Sequence, residues 1–102
     1  MNPAIEAHRA DLIRLCKEFH VQRLELFGSA LREDFDPARS DFDFLVAFDP
    51  LPLGKYADAY FGFKDALELL LGRPVDLVMP KGIENPYFLK AIERNRATLY
   101  AA

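Results

Sequence analysis

The sequence has 102 residues, 51% of them hydrophobic and 28% charged, which is the composition of one compact domain rather than of a disordered or collagen-like chain. Sixteen Asp plus Glu against 13 Lys plus Arg leave a net charge of −3, so the basic excess that drives direct nucleic-acid binding is missing. The single Cys16 excludes an internal disulfide and a Cys/His zinc cluster. No apolar run approaches the roughly 20 residues that span a bilayer, and Met1-Asn2-Pro3 opens no secretory signal, so a cytoplasmic protein with no membrane partner is expected.

In chain order, Ile5, Leu12, Ile13, Cys16 and Phe19 recur at helical steps and predict a first amphipathic helix, with Cys16 as a small core residue. His8 and His20 flank it as exposed or half-buried polar residues without metal-ligand company. Val21, Leu24, Leu26 and Phe27 predict a first strand that stops at Gly28-Ser29. Ser29 sits where its hydroxyl can cap a short helical turn over Ala30 to Glu33. Glu33 to Ser40, with Pro37 and little periodicity, reads as a loop into a second strand over Asp41 to Phe48.

After Asp49-Pro50-Leu51-Pro52, the positions Tyr56, Ala59, Tyr60, Phe63, Ala66, Leu67, Leu70 and Leu71 keep helical spacing up to Gly72, a suitable residue just past a helix end. This stripe is core, and the 13% aromatic content leaves room for some exposed rings facing a partner. Val75 to Met79 predicts a third strand closed by Pro80, and Pro86 to about Arg96 a last helix with Phe88, Leu89 and Ile92 inward. The order predicts an α/β or α+β domain spanning residues 1–102, with a small sheet of about three strands packed by helices. Strand directions do not follow from the pattern.

The chemistry is concentrated on the second strand. Alternation turns Asp41, Asp43, Leu45 and Ala47 to one face and Phe42, Phe44, Val46 and Phe48 to the other, and the aromatic face is core. Two carboxylates about 6.7 Å apart along a strand repel each other unless a cation compensates them. With no His or Cys nearby, the hard-oxygen donor set points to Mg²⁺, which takes one or two carboxylates and leaves positions for phosphate oxygens. Asp76 is a lone carboxylate within Val75-Asp76-Leu77-Val78. It faces water at a sheet edge, or it completes a three-carboxylate cluster if its strand lies beside the second one; such a cluster can hold two ions. Gly28 lets backbone approach phosphate oxygens, the helix start at Ser29 offers free N–H groups, and Arg32 is a candidate bidentate phosphate contact.

Leu26-Phe27-Gly28-Ser29-Ala30-Leu31-Arg32, Ser40-Asp41-Phe42-Asp43-Phe44-Leu45-Val46 and Val75-Asp76-Leu77-Val78 together resemble the minimal nucleotidyltransferases (MNT proteins) of the DNA polymerase β superfamily, usually paired with a HEPN-domain protein. The resemblance runs over nearly the whole chain. It implies the polymerase β-like fold, Gly28 and Ser29 on the nucleotide phosphates, Asp41 and Asp43 on metal ions, and Asp76 as third carboxylate and general base. It further implies transfer of AMP from ATP to a protein hydroxyl, a tyrosine of a cognate HEPN toxin, so that the chain acts as an antitoxin in a hetero-oligomer. Eleven residues separate Ser29 from Asp41, and Glu33 stands where the family commonly has glycine. These two departures motivate an alternative, a non-catalytic antitoxin that neutralises its partner by binding alone.

Overall fold

A computed structural model describes residues 3–27, 42–79 and 96–101. The short helical turn after Gly28, the loop from Glu33 to Ser40 and the body of the last predicted helix lie outside the described residues.

The predicted first helix is divided into α1 (Pro3–Ala7) and α2 (Arg9–Glu18). His8 leaves the helical path at φ −112°, ψ 15°, and its N–H bonds Ile5 C=O three residues back at 3.1 Å, a tighter turn than an α-helix makes. Leu12, Leu15 and Cys16 are buried on α2, whereas Ile13, expected inside, is half-buried. His8 is half-buried and His20 exposed, the latter at φ 60°, with its carbonyl accepting the Asp49 N–H at 2.8 Å.

Strand β1 (Val21–Phe27) pairs antiparallel with β2 (Phe42–Phe48), the next described element in the chain. Helix α3 (Lys55–Leu71) then carries the chain to β3 (Val75–Val78), and β3 lies parallel to β2, as a strand reached through a crossover helix can. Gly72 ends α3 in the left-handed region at φ 68°, donating its N–H to Glu68 C=O at 2.8 Å, in the position anticipated from the sequence.

Among the described residues the sheet has four strands, where about three were expected. Arg96–Ala101 forms β4, antiparallel to the other edge of β1, giving the order β3-β2-β1-β4. The predicted last helix is therefore over by Arg96, the first residue of a strand. A bulge places one extra β4 residue between the pairs Leu24 with Tyr100 and Glu25 with Thr98, so consecutive Leu99 and Tyr100 both pack toward the core.

One face of the sheet carries that core. Val21, Leu24 and Leu26 of β1, Phe42, Phe44, Val46 and Phe48 of β2, and Val75 and Leu77 of β3 pack against Ile5, Leu12, Leu15 and Cys16 from α1 and α2 and against Ala59, Phe63 and Leu67 from α3. Of the α3 stripe, Tyr60 and Leu70 are partly buried and Tyr56 lies at the exposed end; Phe61 and Leu69, outside the stripe, are exposed. The alternation leaves Phe27, Leu45 and Val78 in a small apolar cluster on the opposite face, among the acidic residues.

Candidate active site

The opposite face is where strand periodicity sends the carboxylates, and the register decides which of them meet. Phe42 pairs with Val75, Asp43 with Asp76, Phe44 with Leu77 and Leu45 with Val78 across β2 and β3. Asp43 and Asp76 therefore stand side by side on strands about 4.8 Å apart, with Asp43 half-buried and Asp76 exposed. Asp76 is at a sheet edge, and it faces Asp43 as well as water. Like charges directly opposite each other on a sheet destabilise it. Phe27, Leu45 and Val78 form an apolar cluster beside them on the same face.

Two neighbouring carboxylates with an open side fit a hard divalent cation whose remaining ligands are water and phosphate oxygens. Among the described residues no group of three His, Cys, Asp or Glu could hold a metal ion. Asp41, two residues ahead of Asp43, lies outside the described residues, as do Gly28, Ser29 and Arg32. Their place in the chain is informative nonetheless. In the sequence Gly28-Ser29 directly follows Phe27, and Phe27 is the register partner of Asp43.

The same face holds a carboxylate the sequence reading did not single out. Glu25 is 2% exposed, lies between Leu45 and Thr98 in register, and takes the Arg23 Nε at 2.7 Å. A glutamate in a strand ordinarily reads as a solvated residue. The available signal was parity: Glu25 shares the face of Phe27, the residue before Gly28-Ser29 in the sequence. Arg73, just ahead of β3, is the other missed group, a half-buried arginine whose Nε is enclosed and without a hydrogen-bond partner among the described residues.

A cavity of about 340 Å³ lined by Gln22, Ala47, Tyr56 and Met79 lies elsewhere, since Ala47 is four residues, about 13 Å, along β2 from Asp43. It presents no charged group to a phosphate. Cys16 is enclosed in the core, and burial pushes its thiol up to about 12, so it is no nucleophile. Among the described residues no helix is long and apolar enough to cross a membrane.

With that geometry in hand, comparison with known proteins identifies the class. The family model for the nucleotidyltransferase domain matches residues 10–99, and the chain belongs to that family. A protein of Methanocaldococcus jannaschii named as a candidate protein adenylyltransferase is 38% identical over 81 residues, 79% of each chain. A solved structure of a candidate minimal nucleotidyltransferase superposes with a TM-score of 0.74 at 32% identity, over 91% of this chain and 90% of that one. The complex of a tri-AMPylated HEPN toxin with its MNT antitoxin from Shewanella oneidensis matches with a TM-score of 0.63 at 22% identity, over 95% of this chain and 72% of the other, and at that identity it speaks for the fold. The four-stranded mixed sheet with helices on one face is the polymerase β-like nucleotidyltransferase fold.

Proposed function

We propose that this nucleotidyltransferase moves AMP from ATP to a hydroxyl of a partner protein, a tyrosine of a HEPN-domain toxin, and so acts as its antitoxin in a hetero-oligomer in the cytoplasm. The carrying observation is the register pair Asp43 and Asp76 within a chain whose family model spans residues 10–99. The adenylyltransferase name of the 38%-identical relative and the AMPylated toxin held by an antitoxin of the same fold support the choice of nucleotide and acceptor.

In this reading Asp41, Asp43 and Asp76 hold Mg²⁺, two ions in the full site, and the metal supplies charge neutralisation at the phosphates and a lowered barrier to ionising the attacking hydroxyl. Gly28, Ser29 and Arg32 hold the triphosphate through backbone N–H groups and a guanidinium. The acceptor oxygen forms a bond to the α-phosphorus as the bond to the β-phosphate oxygen breaks. Pyrophosphate leaves with that electron pair, and the hydroxyl proton passes to the Asp76 carboxylate. An adenylyl phosphodiester on a toxin brings a negative charge and bulk that oppose RNA binding.

The test is label transfer to the partner from ATP carrying the label at the α- or the γ-phosphate. Transfer from α-labelled ATP only, with pyrophosphate released and EDTA abolishing the reaction, is expected. Transfer of the γ-label instead, or neutralisation with no transfer of either, overturns the reading; the latter is the behaviour of an antitoxin that acts by binding alone.

A further inference from the structure

Strand β3 is four residues long and lies at an edge of the sheet, yet it carries one of the two paired aspartates. Short edge strands are the least constrained part of a sheet, so something must fix where Asp76 stands. Phe42 N–H bonds Pro74 C=O at 3.3 Å, which turns the backbone groups of Pro74 and, by alternation, Asp76 toward β2. The N–H and C=O groups of Val75 and Leu77 then face away from the sheet.

Helix α3 supplies partners on that outer side. Glu68 Oε2 accepts the Val75 N–H at 2.9 Å, and the Tyr60 hydroxyl donates to Leu77 C=O at 2.5 Å. The two side chains, eight residues apart on the helix, close on the two residues that flank Asp76. The Glu68 contact is charge-assisted, and both contacts are partly buried. Neither residue lies on the face that carries the aspartates.

We infer that Tyr60 and Glu68 are positioning residues: together they lock β3 against α3 so that Asp76 stays opposite Asp43 and the two carboxylates form one metal-binding pair. This rests on the proposed role of Asp76 as a metal ligand. Groups of this kind, one step removed from a ligand, typically change metal affinity or activity by about 10–100-fold.

The experiment measures Mn²⁺ affinity by the electron paramagnetic resonance signal of free Mn²⁺, the hydrogen exchange of the Val75 amide, and kcat and KM for ATP with the partner protein. Four variants are compared with the parent: Tyr60→Phe, Glu68→Met, Glu68→Gln and Asp76→Asn. Tyr60→Phe and Glu68→Met are expected to weaken Mn²⁺ binding about tenfold or more and to lower kcat with little change in KM. Val75 exchange accelerates in Glu68→Met. Glu68→Gln keeps a carbonyl acceptor for Val75 and stays near the parent in all readouts.

If Asp76→Asn weakens Mn²⁺ binding while Tyr60→Phe and Glu68→Met leave it unchanged, the positioning role is overturned and the contacts serve only to protect the edge. If Asp76→Asn itself leaves Mn²⁺ binding unchanged, the underlying assignment of Asp76 fails, and the inference with it.

Discussion

Phe42 and Asp43 are neighbours in sequence, and so are Asp76 and Leu77, but each pair is split between two faces of one sheet that obey opposite rules. On the helix-covered face, Phe42, Phe44, Val75 and Leu77 exclude water and interlock with α2 and α3. On the other, the parallel register sets Asp43 beside Asp76, the pair to which the proposed metal site is assigned. A single run of alternating residues thus carries both part of the core and the carboxylate on which the proposed chemistry rests. The two are separable because strand periodicity keeps them about one sheet thickness apart.

The separation can be broken from either side. Phe44→Ala removes a fully buried ring between β2 and the helices and is expected to cost about 3–5 kcal/mol in chemical denaturation, the largest stability loss considered. Asp43→Asn reverses the pattern: activity falls on the order of 100-fold or more, while the fold is kept, since this half-buried side chain lies on the face opposite the core. A large loss of melting temperature in Asp43→Asn contradicts the two-face picture.

Arg23→Ala sharpens it. The half-exposed Arg23 partners the buried Glu25 on the acidic face, and its loss is expected to cost about 1–3 kcal/mol, far more than an ordinary surface arginine. A cost near zero would mean that Glu25 is satisfied without it.

Smaller effects mark the limits of the core face. Gly72→Ala places a Cβ in open space but at φ 68°, so its expected cost of about 1 kcal/mol is conformational alone. Cys16 contributes no slope to stability at neutral pH. Its folded value, pushed up to about 12 from 9.0, lies above the unfolded one, so the stability linked to the neutral thiol is fully present below pH 9 and is lost as pH rises from there toward 12. Equilibrium unfolding at stepped alkaline pH, with and without Cys16→Ala, reads that slope.

What the sequence made legible follows the range of the physics involved. Helix α3 and its glycine stop were readable because 3.6-residue periodicity and a left-handed cap are local properties. The acidic and aromatic faces of β2 were readable for the same reason, and the meeting of Asp76 with Asp43 could be stated as a condition that the parallel register then met. Which strands pair is set by contacts far apart in the chain. Accordingly β4 went unseen: Ala97-Thr98-Leu99-Tyr100 is a short run following a helical pattern, and it becomes a strand by pairing with β1 more than 70 residues earlier. Glu25 was missed because burial of a strand carboxylate is set by tertiary contacts that the alternation of its own strand does not encode. The break at His8 escaped because the apolar spacing runs through it unchanged.

The proposed activity requires that the acidic face do chemistry. The most direct measurement is intact mass of the proposed HEPN-domain partner after incubation with ATP, Mg²⁺ and either the parent chain or Asp43→Asn, both shown to be equally folded. The prediction is a gain of one or more adenylyl units with the parent and none with Asp43→Asn. An unchanged mass with the parent, despite a stable and neutralised complex, would contradict it.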